Sequence, residues 1–308
     1  MQISRTLFPA LVAVGIALTA TGCSSDVEAP AAPIPEPAMV PVAVPVHDRT
    51  VDVLVWAPED ADHRHLVIIS HGFAGDATSH APLAEVLVDA GYTVAAPTHP
   101  DLAGLESTQP GLDPLTLRPR HVSLAIDHLE ETDGPFESVT IVGHSLGSYT
   151  ALRLVGASPS GDGLDAHCAS NPQDLVLCTA NARARFDVLS LDPSDAADSR
   201  ISRAVLLAPG YGPLFSSTDL TAVAVPVMVV EAEADAELPG DQVQQLVNRF
   251  PTRPEFSSVP GGHYVFLRTC TAEESANLPD LCTDPGDADR ALAAEQLAKD
   301  IDRFIASE

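Results

Sequence analysis

The chain has 308 residues, and 45% of them are hydrophobic, a share that supports a large buried core and excludes an intrinsically disordered protein. Its 16 basic residues are outnumbered by 43 acidic ones, so the formal net charge is −27. Because nucleic-acid phosphates are bound by clustered Lys and Arg, this balance argues against nucleic acid as a partner. Such acidity is typical of a soluble protein, with adaptation to salt as the alternative.

Residues 1–22 have the pattern of a lipoprotein-type signal peptide. Arg5 precedes an apolar run of about 14 residues, from Leu7 to Ala20, which is shorter than the ~20 residues that span a bilayer. The sequence then reads Thr-Gly-Cys, and Cys23 matches the cysteine that carries lipid in bacterial lipoproteins. An ordinary signal peptide with a coincidental cysteine is the alternative. We therefore expect an exported protein, anchored to the membrane or cell envelope through lipid on Cys23 or else secreted.

Residues 23–46 are rich in Pro, Ala and Val, a composition typical of an extended tether without an amphipathic period. The remaining residues, 47–308, are predicted to form one globular domain. Within it, residues 158–199 are polar and interrupt the regular pattern. We interpret that stretch as an insertion after a helix predicted at residues 146–155. It would lie over the edge of the predicted sheet at which the candidate catalytic residues, described below, are expected.

In the globular domain, short apolar runs alternate with longer amphipathic segments. Strands are predicted at residues 51–56, 66–70, 92–96, 139–142, 204–207, 225–230 and 256–259. Helices are predicted at residues 82–90, 121–129, 146–155, 242–250 and 291–305. The alternation predicts an α/β fold with a mostly parallel sheet and helices on both faces.

Residues 143–147 read Gly-His-Ser-Leu-Gly, which matches the G-x-S-x-G pattern of a nucleophile elbow. The pattern has a physical basis, because a serine on a strained strand-to-helix turn needs small neighbours two residues away on each side. Five residues with three fixed positions arise often by chance. Here, however, a predicted strand ends at Gly143 and a predicted helix follows Ser145, so we assign Ser145 as a candidate nucleophile.

Residues 70–75, Ser-His-Gly-Phe-Ala-Gly, follow the buried strand predicted at 66–70. A His-Gly turn at this position commonly supplies backbone N–H groups that bind the oxyanion of a tetrahedral intermediate. The predicted donors are the amides of Phe73 and Leu146. A glycine turn without a catalytic role is the alternative.

A base for Ser145 should come later in the chain, because elbows of this type occur in the order Ser, acid, His. His167 and His263 are the histidines that follow Ser145. His263 comes directly after the last predicted strand, whereas His167 lies in the insertion without a strand to position it. The sequence therefore favours His263 as the base.

The acid is harder to assign, because four carboxylates crowd the end of one strand: Glu231, Glu233, Asp235 and Glu237. A triad acid should lie just past the strand, in the loop that faces the histidine. Asp235 fits that loop best, and Glu233 is the alternative.

The five cysteines are an odd number, and setting Cys23 aside leaves four that can pair in an oxidising compartment. Sequence allows three pairings, of which we favour the local ones, Cys168–Cys178 and Cys270–Cys282. Neither pair has the spacing to histidines of a zinc site, so no metal and no cofactor is expected.

Together these segments resemble the bacterial "predicted dienelactone hydrolase" branch of the α/β-hydrolases, which is related to platelet-activating-factor acetylhydrolase isoform II. The resemblance covers the chain from about Val51 onward and is carried by residues 70–75, 117–120, 143–147, 225–230, 262–267, 282–286 and 289–290. It implies an α/β-hydrolase fold and ester hydrolysis by Ser145, His263 and Asp235 without a metal or cofactor. The chain differs from dienelactone hydrolases proper, which use a cysteine nucleophile, and from the group at Ala232, where glycine is usual.

The sequence thus predicts a serine carboxylic-ester hydrolase that forms an acyl-enzyme and acts on short-chain or acetyl esters, with a small ester or a lipid as substrate. A polyester or cutinase-like hydrolase is the main alternative. A non-catalytic surface lipoprotein that binds a ligand in a hydrolase-like pocket is the alternative from another class.

Overall fold

A computed structural model describes residues 36–44, 49–58, 65–100, 114–160, 162–174, 177–179, 196–238 and 241–307 of the chain. Eight strands lie within these residues: β1 (Ala38–Val44), β2 (Arg49–Trp56), β3 (His65–Ser70), β4 (Thr93–Pro97), β5 (Ser138–His144), β6 (Ile201–Leu207), β7 (Val227–Ala232) and β8 (Glu255–Val259). They form one sheet in the order β1-β2-β4-β3-β5-β6-β7-β8. The pairs β1–β2 and β2–β4 are antiparallel, and all other pairs are parallel. The predicted mostly parallel sheet is confirmed.

β1 was not expected, because its residues belong to the stretch interpreted as a tether that extends to residue 46. The correction has a physical reason in the sequence, where Val42 and Val44 alternate with exposed residues and both side chains are buried. Pro41 does not disrupt the strand, because β1 lies at the edge of the sheet, where a missing N–H is tolerated. Residues 1–35, which include the predicted signal peptide, Cys23 and most of the tether, lie outside the described residues.

The described helices are α1 (Ala81–Asp89), α2 (Pro114–Asp133), α3 (Leu146–Leu154), α4 (Asp162–Ser170), α5 (Gln242–Arg249), α6 (Ala272–Asn277), α7 (Pro279–Cys282) and α8 (Arg290–Ala306). Apolar side chains of α1 and α8 join one core cluster with one face of the strands, and those of α2, α3 and α5 join the other. β3 shows the principle: Leu66 and Ile68 contribute to one cluster, Val67 and Ile69 to the other. Each such burial contributes roughly 1.5–3 kcal/mol, which explains why apolar residues predominate on both faces of the central strands.

α2 extends farther toward the N-terminus than predicted, since the sequence places its start at His121. Pro119 lies inside the helix, although a proline there lacks an N–H for the helical hydrogen bond. Burial of Leu115 holds the first turns of α2 against the core in spite of this loss. The neighbouring Arg118 is fully buried.

α4 lies within the predicted insertion (residues 158–199), of which only part belongs to the described residues. Its Cys168 is bonded to Cys178, and Cys270 is bonded to Cys282, so both local pairs chosen from the sequence are formed. Two disulfide bonds favour an extracellular or periplasmic location, because the cytosol keeps thiols reduced. Among the described residues, no helix combines the length and the apolar character needed to cross a membrane.

Candidate active site

Ser145 lies on the turn between β5 and α3, with φ 53° and ψ −115°. A non-glycine residue adopts positive φ rarely, and a turn held in this way is a common feature of functional sites. The flanking glycines make the turn possible. A Cβ on Gly143 would lie 2.2 Å from the carbonyl oxygen of Gly147, and a Cβ on Gly147 would lie 1.9 Å from that of Ser70. The close approach explains both glycines of the motif.

The backbone around Ser145 is held by the end of β6 and the residues after it. The Ser145 N–H donates to the carbonyl of Leu207 at 2.9 Å, and the Ser145 carbonyl accepts the N–H of Gly210 at 3.2 Å. A Cβ on Gly210 would lie 3.1 Å from Ser145 Oγ, so this glycine keeps the approach to the hydroxyl open. Gly210 carries no motif, and the sequence analysis did not identify it.

His263 lies in the loop after β8, and its Nδ1 donates to Asp235 Oδ2 at 2.8 Å. Asp235 lies in the loop after β7. Its other oxygen, Oδ1, accepts the N–H groups of Glu237 at 2.9 Å and Leu238 at 3.0 Å. With Nδ1 bonded to a carboxylate, a neutral His263 carries its lone pair on Nε2, the tautomer that a general base requires.

The other carboxylates near the end of β7 have different partners. Glu233 is exposed and accepts a hydrogen bond from Ser258 Oγ at 2.8 Å, and Glu231 accepts one from Gln244 at 3.3 Å. Of the two candidates that the sequence left open, Asp235 is therefore the one that contacts His263.

His144, the variable residue of the motif, supports the His263 loop. The ring of His144 is buried, its Nε2 donates to the carbonyl of His263 at 2.9 Å, and the two ring centroids are 5.0 Å apart. Burial and the nearby His263 hold the pKa of His144 well below its usual value, so the ring is neutral. The sequence analysis missed this residue because the motif leaves its position unspecified.

The loop His71–Gly75 follows β3, and we call it the β3 loop. It approaches the turn closely, since a Cβ on Gly72 would lie 3.4 Å from Ser145 Cβ. The Phe73 side chain is 50% exposed and lines a cavity, and Leu146 is the first residue of α3. Among the described residues, neither backbone N–H has an acceptor, so both predicted donors are available to a ligand.

Ser145, His263 and Phe73 line one cavity of about 820 Å³, a volume within the range of small-molecule sites. The two disulfide-closed segments supply parts of its wall. Leu177 comes from the segment closed by Cys168–Cys178, and Leu281 comes from the segment closed by Cys270–Cys282.

Residues 282–290, which we call the tail, hold both the rim of the cavity and the loop that carries His263. The Arg290 guanidinium donates to Asp284 Oδ2 at 2.6 Å and to the carbonyls of Arg268 at 2.9 Å and Leu281 at 2.5 Å. A Cβ on Gly262 would lie 2.9 Å from Pro285 Cδ, so the tail packs directly against the turn that carries His263. This contact gives a structural reason for residues 282–286 and 289–290.

The wall of the cavity is acidic. Four of its described residues carry carboxylates: Asp76, Asp174, Glu237 and Glu274. One, Arg268, carries a guanidinium. Arg268 donates to both oxygens of Glu274, at 2.6 and 2.9 Å, so its charge is already paired. The pKa of the Tyr264 hydroxyl is raised, first by burial and then by the Glu237 carboxylate, as expected in a negative field.

One group of potential metal ligands occurs among the described residues, formed by His167, Asp174 and Cys178. Cys178 is bonded to Cys168 and has no thiolate to offer, and His167 Nε2 is bonded to Asp174 Oδ2 at 2.9 Å. These contacts are structural, and they also occupy His167, the alternative base considered from the sequence.

Several solved structures are similar to the chain. A thermophilic esterase from Thermogutta terrifontis, Est2, aligns over 88% of this chain and 93% of its own with 14% identity and a TM-score of 0.57. A predicted CIB-like hydrolase from Thermoplasma acidophilum aligns over 87% and 97% with 13% identity and a TM-score of 0.51. XC6422 from Xanthomonas campestris, described as an α/β serine hydrolase without lid, aligns over 89% and 97% with 16% identity and a TM-score of 0.50. At these identities the likeness shows a shared fold.

No curated protein matches the chain. A family model described as the alpha/beta hydrolase family matches residues 66–301, which is well over half of the chain. The match spans the β3 loop, the turn at Ser145 and the loops that carry Asp235 and His263. The chain therefore belongs to the α/β-hydrolase family.

Proposed function

We propose that this hydrolase cleaves carboxylic esters through an acyl-enzyme on Ser145, with His263 as general base and Asp235 as the acid that orients it. The observation that carries the proposal is the 2.8 Å hydrogen bond between His263 Nδ1 and Asp235 Oδ2, in a cavity that Ser145 and His263 both line. The three side chains come from loops far apart in sequence, and a triad of this kind is recognised by the geometry and roles of its residues rather than by their positions in the chain.

In the proposed reaction, Ser145 Oγ attacks the ester carbonyl carbon while His263 Nε2 takes the hydroxyl proton. The amides of Phe73 and Leu146 donate to the oxyanion, and each such donor is worth about 3–4 kcal/mol in the transition state. Collapse of the intermediate breaks the carbon–oxygen bond to the alcohol, which leaves with the proton held by His263. Water then attacks the acyl-enzyme with His263 again as base, which releases the carboxylic acid and regenerates Ser145.

Substrates of the proposed enzyme are short-chain or acetyl esters, in keeping with the cavity volume and with the resemblance to the platelet-activating-factor acetylhydrolase and dienelactone hydrolase group. A series of p-nitrophenyl esters from acetate upward, with phospholipid and polyester film added, separates the acetyl-ester proposal from a lipase or a cutinase-like activity. A protein that binds such esters without turning any of them over would instead be a non-catalytic ligand-binding protein.

The acidic wall leads to a prediction about charge. p-Nitrophenyl butyrate is neutral, whereas mono-p-nitrophenyl succinate carries a carboxylate at the end of an acyl group of the same length. We expect kcat/KM for the anionic ester to be about 10-fold lower at low salt, because unit charges several ångströms apart near a protein surface repel by ~1–2 kcal/mol. Added salt screens this repulsion and should therefore reduce the difference in kcat/KM between the two esters.

Glu237→Gln provides the matched variant for this measurement, because it removes one wall charge and keeps the size of the side chain. Glu237→Gln should bring kcat/KM for the anionic ester closer to that for the neutral ester, and it should change kcat/KM for the neutral ester little. Equal turnover of the two esters by the wild-type protein at low salt would contradict a role for the acidic wall in selectivity.

We also propose that the protein is exported and attached to a membrane through lipid on Cys23, on the evidence of residues 1–23 of the sequence. Metabolic labelling with palmitate in a bacterial host should mark the wild-type protein. Cys23→Ala should abolish the label and release the protein from the membrane fraction, whereas Ser24→Ala, at the neighbouring position, should keep both the label and the membrane attachment. Labelling that persists in Cys23→Ala would refute the anchor.

A further inference from the structure

Arg118 is a fully buried arginine of α2, and its guanidinium binds the backbone of the β3 loop. Nη1 donates to the carbonyl of His71 at 2.6 Å, and Nη2 donates to the carbonyl of Gly72 at 2.9 Å. Taking a guanidinium out of water costs several kcal/mol unless its hydrogen bonds are well used. A buried guanidinium that donates to two successive carbonyls of the β3 loop therefore calls for an explanation.

The second of these carbonyls shares its peptide group with the N–H of Phe73. In a planar trans peptide, the C=O and N–H bonds point in opposite directions. Because Arg118 holds the Gly72 oxygen on the α2 side of the loop, the Phe73 N–H is turned to the other side. That N–H has no acceptor among the described residues, and Phe73 lines the cavity with Ser145.

Other contacts hold the same peptide in the same sense. His71 Nδ1 donates to the Gly72 oxygen at 2.6 Å, and the N–H of Gly75 donates to it at 3.3 Å. His71 Nε2 accepts the backbone N–H of His99 at 2.9 Å, which requires a neutral ring. Burial, and then the charge of Arg118, lower the pKa of His71 to about 3, in agreement with a neutral ring.

We propose that Arg118 is a positioning residue for the oxyanion hole, which it sets by orienting the Gly72–Phe73 peptide so that the Phe73 N–H faces the reacting carbonyl oxygen. This inference rests on the proposed function. Arg118 is not among the residues that line the cavity. It acts through the backbone amide, and so its contribution is realised when negative charge develops on the oxyanion.

The test compares two substitutions in the full-length protein. Arg118→Met removes both hydrogen bonds. Arg118→Lys keeps the charge but replaces the planar guanidinium, with its two fixed donors, by a single ammonium group on a shorter side chain. Loss of one oxyanion donor lowers kcat by ~10²–10³-fold, and a donor that is misaligned rather than removed should give about a 10- to 100-fold loss. KM should change by less than about 3-fold, because the ground-state carbonyl relies less on this donor.

A purely structural role would not give the same pattern with a transition-state analogue. An aryl boronic acid forms a tetrahedral adduct with the proposed nucleophile, and its affinity should fall by the same factor as kcat in each Arg118 variant. Arg153→Met is the matched control, since Arg153 is also buried and donates to the carbonyl of Ala157 at 2.8 Å. It lies about 12 Å along α3 from Ser145, so this control should lower thermal stability without lowering kcat or boronate affinity.

The outcomes separate the two proposals. An active wild type whose Arg118→Lys and Arg118→Met variants keep kcat and boronate affinity overturns the positioning role alone. The same holds if Arg153→Met loses kcat and affinity as strongly as Arg118→Met. A wild type without esterase activity, or with activity that survives Ser145→Ala, refutes the proposed function and the inference with it. If Arg118→Met fails to fold, Arg118→Lys decides by the same two measurements.

Discussion

Ser145→Ala should lower kcat for p-nitrophenyl acetate by ~10⁴-fold or more, because it removes the atom that forms the acyl-enzyme. The remaining rate would come from the oxyanion donors and from binding alone. The fold should tolerate the change, since alanine keeps the Cβ of serine and therefore adds no new strain at φ 53°. Thermal unfolding checks this, and the melting temperature should stay close to that of the wild type.

Covalent labelling with a fluorophosphonate provides a second, independent readout of the same change. The wild-type protein should be labelled at Ser145, and Ser145→Ala should not be labelled. Ser202→Ala is the control: this serine lies on β6, where its Oγ donates to the carbonyl of Val139 at 3.2 Å. That variant should keep both label and activity. Unchanged turnover of p-nitrophenyl acetate by Ser145→Ala would refute the acyl-enzyme mechanism.

Most of the fold could be predicted because its strands carry their own signal. Residues 66–69 are apolar without interruption, and residues 139–142 are apolar except for Thr140, as expected for strands that are buried on both faces. β1 was missed because Pro41 and the surrounding Pro- and Ala-rich sequence favoured a tether, while its burial depends on pairing with β2. The first turns of α2 were missed for a similar reason, since Pro119 argues locally against a helix that tertiary contacts stabilise.

The candidate site likewise contains residues whose roles the sequence could predict and residues whose roles it could not. Ser145 has a local motif, and His263 follows from chain order, so both could be named from the sequence. Arg118 and His144 could not be assigned roles. Their partners lie 46 and 47 residues away for Arg118 and 119 residues away for His144, and no local pattern encodes contacts at such separations. The resemblance did include residues 117–120, but without a role for them.

Asp235→Asn should lower kcat by ~10⁴-fold while leaving the loop after β7 intact. Asparagine has the same shape, and its oxygen can still accept the N–H groups of Glu237 and Leu238, which are bonded to Oδ1 in the wild type. Its amide nitrogen would then face His263 Nδ1 as a donor. This contact favours the tautomer with the proton on Nε2, which cannot accept the Ser145 proton.

Glu233→Gln is the matched control, because it makes the same carboxylate-to-amide change two residues away. Glu233 is exposed and is bonded to Ser258, so its loss should alter kcat by less than about 2-fold. Steady-state kinetics of the two variants, with thermal unfolding of each, therefore distinguish an orienting acid from a general effect of lost negative charge near β7. A large loss in Glu233→Gln together with an active Asp235→Asn would transfer the role of the acid to Glu233. It would also mean that the 2.8 Å bond to His263 is structural.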